Sequence, residues 1–328
     1  MSSQSRYVTT AHDGWRLERF LAIEFEDTSP REIRRKLLAG EVRVGGELGW
    51  LGYRLRSGQR VTVDFGSGPE AHAPVSEFPT VIADDPEFLV VAKTAGVTVV
   101  PDRTRSAPSI IELLRDAAPA GEERFVVHRI DRDATGIVVF AKNRASHRHL
   151  SRQFQNREVS KEYLAIVTGE PDRDEPQTIE LPIGHDPREK MRMRTDRREG
   201  KPSRTTFRVV ERFRDFALVG VRPETGRTHQ IRVHMAGIGH PLAVDPMYGG
   251  SDVLTVADLK NTYRPKRGAV PTPLIDRLTL HAWRLHFRHP GSEEAFDVEC
   301  PPPEDFELTL KMLRKYRPPK EPRTHELP

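Results

Sequence analysis

The sequence predicts an α+β fold, and three observations lead there. Runs that alternate or concentrate apolar residues at strand spacing outnumber helical runs along the 328 residues. No long succession of strand, helix, strand, helix appears, so a parallel, doubly wound sheet is not expected. A stretch rich in Gly, Pro and Ser, "GSGPEAHAPVSEFPT", interrupts the pattern, separating a small leading module from a larger part. The expected organisation is a small α+β module over 9–66, a linker over 67–80, a large domain over 81–306 and a basic, Pro-rich tail over 307–328. The large domain should carry a mixed, mostly antiparallel sheet with flanking helices.

In the leading module, "WRLERFLAIEF" sets Leu17, Phe20, Leu21 and Phe25 at helical spacing. "SPREIRRKLLAG" predicts a second helix, with Ser29 as N-cap, Pro30 at its first position and Gly40 as its stop. That helix is expected to expose Arg31, Arg34, Arg35 and Lys36. "EVRVGGEL" and "QRVTVDF" then alternate apolar and polar residues as half-buried strands do.

The large domain opens on "VIADDPEFLVVAKTAGVTVVP", strands broken by turns. "SIIELLRDA" reads as a short helix capped by Ser109, and "RASHRHLSRQFQNRE" as a longer one with Leu150 and Phe154 a turn apart. "KEYLAIVTG" is a strand. "TTFRVVERFRDFALVGVRP" is a hairpin turning at Arg214-Asp215, and "RTHQIRVHMAGIG" a helix directing Ile231, Met235 and Ile238 inward. "LTLHAWRLHFRHP" and "AFDVECPPP" supply the closing strands. No internal repeat is visible, and nothing marks an oligomer interface.

Composition narrows the function classes. With 36% hydrophobic and 30% charged residues, the chain buries a core under a highly charged surface. One cysteine, Cys300, leaves no intramolecular disulfide framework and no cysteine-cluster metal site. No apolar run reaches the length of a membrane span and the first residues lack a secretory signal, so a soluble cytoplasmic protein is expected. The formal charge is only +4, but basic residues crowd "SPREIRRKLLAGEVRV", "DPREKMRMRTDRREGKPSRTTFR" and "LKMLRKYRPPKEPR". Such clusters suit a polyanion such as nucleic acid, or are simply solvated loops.

The chemistry concentrates in "VVHRIDRDATGIVVFAKN". Two apolar runs, "FVV" and "GIVVFA", read as buried strands, and between them stand Arg129, Asp131, Arg132 and Asp133. A carboxylate between buried strands costs several kcal/mol unless a cation or hydrogen bonds compensate it. Arg232 and Arg129 are available partners for Asp131. Such an aspartate is either an internal ion pair that locates the sheet or a nucleophile or base. In "GRTHQIRVH", His229 and Arg232 fall on one helical face. With His234 and His240 they invite a zinc reading, but the spacing lacks two histidines one turn apart, and no metal is expected. Tyr163 is either core packing with its hydroxyl at the rim or a stacking platform and general base.

Three blocks of this chain resemble, in order, the motifs of the RluA-type RNA pseudouridine synthases: "HRIDRDATGIVVFAKN", "KEYLAIVTGEP" and "GRTHQIRVHMAGIGHPLAVDPMYG". "FLVVAKTAGVTVVP" is similar to their entry strand and turn, and the likeness spans about 81–306. The leading module resembles the αL-type RNA-binding module of some ribosomal proteins, with Gly45-Gly46 where such modules often have Asn-Gly. The resemblance implies that uracil is detached from ribose, rotated and rejoined through its carbon 5, with no metal, nucleotide or redox cofactor. It also implies residue roles: Asp131 as the catalytic aspartate attacking ribose carbon 1′ or the uracil ring, and Tyr163 stacking on uracil and removing the carbon 5 proton. Arg232 would pair with the aspartate, and Arg129 would fill the place of the extruded uridine. Two positions depart from the family pattern: Ala134-Thr135 stands where Thr-Ser usually precedes Gly136, and Thr94 where proline usually follows Lys93.

The expected partner is structured RNA, large-subunit ribosomal RNA first and transfer RNA second. Two other classes stay in view: a non-catalytic RNA-binding ribosome-assembly factor, and a hydrolase using the carboxylates Asp131 and Asp133.

Overall fold

The computed structural model describes residues 3–25, 28, 33, 36–37, 40–50, 52–64, 78–102, 108–189, 191–260 and 273–319. The chain divides into two compact units, Met1–Val75 with Asp252–Leu274, and Ser76–Ser251 with Ile275–Pro328.

In the first unit, β1 (Ser3–Tyr7), α1 (Leu17–Glu24), β2 (Val42–Val44), β3 (Glu47–Leu48) and β4 (Arg60–Asp64) follow in order. The strands form an antiparallel sheet in the order β1-β4-β2-β3. Leu17, Phe20 and Leu21 pack from α1 onto Val42, Val44, Val61 and Val63. The module thus begins before residue 9. All five residues of β1 are exposed, so "SQSRY" offers no alternation to read, and backbone pairing to β4 alone makes it a strand.

Lys36 corrects an expectation. It is 2% exposed, and its Nζ donates to Glu41 Oε2 at 2.9 Å and to the Asp64 carbonyl at 2.8 Å. The reason is helical spacing: Lys36 follows the buried Ile33 by three residues, which puts both on the inward face. Ser29, Pro30, Arg31, Arg34 and Arg35 lie outside the described residues. Gly40 takes a left-handed φ of 71° after the helical residues Lys36 and Leu37, as a helix stop does.

The second unit is built on a ten-stranded sheet. Its first elements are β5 (Thr80–Asp84), β6 (Phe88–Lys93), α2 (Ile110–Asp116), β7 (Phe125–Val126), β8 (Thr135–Ala141) and α3 (Arg144–Asn156). Next come β9 (Ser160–Thr168), β10 (Gln177–Ile179), a small hairpin of β11 (Ile183–His185) and β12 (Met193–Thr195), β13 (Thr205–Phe213), β14 (Phe216–Pro223) and α4 (Gln230–Gly237). Residues 252–274, which cluster with the first unit, carry β15 (Leu254–Thr255), α5 (Val256–Leu259) and the start of β16 (Pro273–Ile275). Then β17 (Leu280–Arg288), β18 (Ala295–Glu299) and α6 (Glu304–Tyr316) complete the second unit.

The sheet order is β10-β13-β14-β9-β17-β8-β6-β5, with β18 on β17 and β7 on β8. It is mixed and mostly antiparallel: β8 and β17 run parallel, joined at His281–Thr135 and Ala282–Gly136. Gly136 is needed there. Its φ is 113°, and a Cβ would sit 2.1 Å from the Ala282 carbonyl oxygen. Thr135, the hydroxyl in the departing Ala-Thr pair, hydrogen-bonds His281 Nδ1 at 2.9 Å.

Local signals behave as their chemistry dictates. Ser109 caps α2 in a capping box with Glu112. The β13–β14 hairpin turns through Asp215 at a φ of 67°. "FVV", read as a buried strand, is only the two half-buried residues of β7. The tail expectation also changes. Residues 304–316 are helical, and Phe306, Leu310 and Leu313 are buried at helical spacing, a stripe set among charged residues of both signs. Among the described residues, no helix is long and apolar enough to cross a membrane.

Candidate active site

Between β7 and β8 the chain leaves the sheet as a loop, 127–134, that carries Arg129, Asp131 and Asp133. Lys93, at the end of β6, holds this loop from beneath. It is 2% exposed, and its Nζ donates to the carbonyls of Arg132 (2.6 Å), Thr94 (2.8 Å) and Val97 (2.9 Å). The Gly96 amide donates to the same Arg132 carbonyl at 3.0 Å. Burial pushes the Lys93 ammonium down to about 7 against the nearby charges of Asp133 and Asp131.

Arg232, in the first turn of α4, donates from Nη1 to Asp131 Oδ2 at 3.3 Å. Its other nitrogens are taken: Nε to Asp245 Oδ2 at 2.8 Å and Nη2 to Asp245 Oδ1 at 2.9 Å. Asp245 is fully buried. Burial works against the charge on Arg232, but the bonds to Asp245 and the charge of Asp131 outweigh it and raise its pKa. The guanidinium carbon lies 4.9 Å from the centre of the Tyr248 ring, a cation–π distance. The Tyr248 hydroxyl accepts the Met193 amide at 2.9 Å and shares a 2.8 Å hydrogen bond with His229 Nδ1. Helix α4 begins one residue after His229, which takes a left-handed φ of 55° as its N-cap, so His229 and Arg232 do not share a helical face as the spacing suggested.

Tyr163 stands on β9, beside Val221 of β14 and Ala282 of β17. Its ring packs against the cluster of Ala165, Val221 and Leu280. Burial first, and the Asp131 charge second, raise its phenol well above the usual tyrosine range. A cleft of about 810 Å³ opens over these groups, lined among others by Arg129, Asp131, Lys161 and Tyr163. Arg129 is exposed and has no side-chain partner among the described residues, so it is not the cation that pairs with Asp131. Asp131 Oδ1 likewise carries no hydrogen bond among the described residues, leaving one carboxylate oxygen open at the cleft.

Of the residues singled out from sequence, Asp131, Tyr163 and Arg129 line this cleft, and Arg232 reaches it through its bond to Asp131. Asp133 is exposed and outside the cleft lining, so the two carboxylates of the hydrolase reading do not face one space. The histidines are dispersed. His234 is buried between Thr205 Oγ1 and the Leu181 carbonyl, His240 bonds the Thr168 carbonyl, and His229 bonds Tyr248. Sequence reasoning missed Asp245 and Lys93. The signal for both was present, a charge closing an apolar run in "PLAVD" and "FLVVAK", akin to the charges between apolar runs that exposed Asp131.

A family model described as RNA pseudouridylate synthase matches residues 87–237. Over 310 residues the chain is 36% identical to "Uncharacterized RNA pseudouridine synthase YlyB" of Bacillus subtilis (strain 168), spanning 92% of this chain and 94% of that protein. It is 33% identical over 318 residues to "Ribosomal large subunit pseudouridine synthase D" of Xanthomonas campestris pv. campestris, with 96% and 93% of the two chains covered. It is 32% identical over 323 residues to "Ribosomal large subunit pseudouridine synthase C" of Escherichia coli (strain K12), with 94% and 96% covered. Among solved structures it resembles Human RNA Pseudouridylate Synthase Domain Containing 1, with a TM-score of 0.52 and 28% identity over 69% of this chain and 84% of that one.

Proposed function

The chain belongs to the RNA pseudouridine synthase family, and on that premise we propose that it isomerises chosen uridines of large-subunit ribosomal RNA, with Asp131 as the nucleophile. The observation that carries the assignment is the half-committed carboxylate: Asp131 lines the cleft, and Arg232 holds its Oδ2 while Oδ1 has no partner among the described residues. A carboxylate so held has a fixed direction of attack and one free oxygen.

The reaction balances without any external electron donor or acceptor, because uridine and pseudouridine are isomers. The N1–C1′ bond breaks, a C5–C1′ bond forms, the proton on C5 leaves and N1 gains one. Asp131 Oδ1 adds to ribose C1′ or to the uracil ring and is later expelled unchanged. Tyr163 offers a flat surface for the detached uracil. Its raised pKa keeps the phenol protonated in the free enzyme. An ester at Asp131 would remove the smaller of the two causes of that shift while burial remains, so taking the C5 proton requires the Tyr163 phenol to pass its own proton on. Arg129, exposed at the cleft and unpaired among the described residues, fits the vacancy left in a stem when the uridine flips out.

Ribosomal RNA is favoured because relatives matched over nearly their whole length carry large-subunit names; transfer RNA is the second class to test. The reading also takes the leading unit as an RNA-binding module and puts the reaction in the cytoplasm. The test is a map of pseudouridine at single-nucleotide resolution in ribosomal and transfer RNA from cells with and without the gene. A site that vanishes on deletion, and returns with wild type but not with Asp131→Asn, is the expected result. Persistence of every site would move a non-catalytic assembly role to the front.

A further inference from the structure

We infer that Lys161 anchors a phosphate-binding subsite in the cleft, taking a backbone phosphate of the RNA strand that presents the flipped uridine. The inference rests on the RNA-directed reading above and adds a second contact point to it. Lys161 precedes Tyr163 by two residues on β9, so both side chains leave the same face of the strand, and both line the cleft.

Every carboxylate lining the cleft already has a cation. Asp131 pairs with Arg232, Asp102 with Arg132, and Glu224 with Arg204. Three cations lining the same space have no side-chain hydrogen bond or ion pair among the described residues: Arg129, Arg157 and Lys161. The cleft therefore carries uncompensated positive charge, the condition for holding a polyanion. Of the three, Arg129 and Arg157 are exposed, whereas Lys161 is partly withdrawn from solvent.

A withdrawn ammonium without a partner is costly, and that cost is recovered when an anion arrives. Burial lowers the Lys161 pKa, in keeping with a charge kept from water. The anion is not Asp131, whose ion pair is with Arg232 and which makes none with Lys161 among the described residues. Gly226, across the cleft wall, has no side chain, and a Cβ there would lie 4.0 Å from Lys161 Nζ. The ammonium thus stands beside bare backbone in the cleft wall, with room for an anion to reach it.

Lys161→Met keeps the length and removes the charge; Lys161→Arg keeps the charge. Two probes serve: a short oligouridylate, which needs no knowledge of the target, and a pseudouridine-free transcript of large-subunit ribosomal RNA. Lys161→Met is expected to weaken oligouridylate binding about fivefold and to reduce the salt slope by about 0.7, the share of one phosphate on a single strand. Lys161→Arg should restore most of both. On the transcript, KM should rise about fivefold while kcat falls less than twofold. The thermal midpoint of Lys161→Met should equal or exceed that of wild type, because an unpaired charge has left the fold.

An unchanged oligouridylate affinity and salt slope would overturn the subsite, as would a lowered thermal midpoint or a loss confined to kcat. A wild-type protein inert on the transcript, with the oligouridylate difference intact, would sink the ribosomal target and leave the subsite standing.

Discussion

Asp245 takes two of the three directions in which Arg232 can donate, at 2.8 and 2.9 Å, and leaves Asp131 a single, longer bond of 3.3 Å. The buried carboxylate is thus the stronger holder of the guanidinium, and the cleft carboxylate borrows what remains. That inequality suits a nucleophile, which has to be aimed without being consumed by its partner.

Asp245→Asn tests it. An amide cannot accept from both guanidinium nitrogens, so Arg232 is freed to close on Asp131. Breaking this buried pair is expected to cost about 3 kcal/mol of stability. Single-turnover rate should fall on the order of a hundredfold as the nucleophile loses its aim. Chemical denaturation and single-turnover assays read the two effects, and an unaltered rate would remove Asp245 from the site.

Asp131→Asn should abolish pseudouridine formation. RNA affinity should hold or rise, since a negative charge leaves a site for a polyanion. Electrophoretic mobility shift and product mapping measure both, and retained turnover would overturn the nucleophile.

His128 sets an acid limit. Its ring stacks on Phe154 at 4.6 Å, and its Nε2 accepts the Val139 amide at 3.1 Å, so it is held neutral with the proton on Nδ1. Burial, and then the charge of Lys161, push it down to about 3. The unfolded chain binds this proton near pH 6.5 and the folded chain does not, so the stabilisation is complete above 6.5. It is lost as pH falls from there toward 3, at up to roughly 1.4 kcal/mol per pH unit. His128→Phe should flatten the slope of unfolding free energy between pH 6 and 4. An equal slope in both proteins would show that other groups set it.

Gly136→Ala should unfold the sheet where it is parallel. The added methyl would sit 2.1 Å from the Ala282 carbonyl, at a φ of 113° that alanine avoids. A loss of at least about 3 kcal/mol is expected, read as a lowered denaturation midpoint. A silent substitution would mean the two strands separate at little cost.

The elements that sequence made visible are those whose periodicity answers to a core. Helix α3, the β13–β14 hairpin and the cap at Ser109 are all written in local spacing. What escaped was long-range. Strand β1 exists through pairing with a strand more than fifty residues away and buries no side chain. The stripe of α6 lies among charged residues that lead into a Pro-rich basic tail. In the site, Asp131, Tyr163 and Arg232 were legible from charge placed among apolar runs and from family motifs. That Asp131 turns to Arg232 and not to Arg129 stayed open on the residues alone and came only as an implication of the family resemblance, since a pairing choice is made in space and not in spacing.

A ribosome delivers residues 252–274 only after most of the larger unit has emerged. Yet those residues cluster with the first 75, and Asp252 among them binds Arg16 at 3.0 Å and helps burial push the Glu18 carboxyl up to about 7. The part of the protein that is translated first therefore cannot finish folding first. A nascent chain stopped before residue 252 lacks the segment that clusters with the leading module and the Arg16–Asp252 ion pair, so that module becomes whole only after all of β5 to α4 has been made.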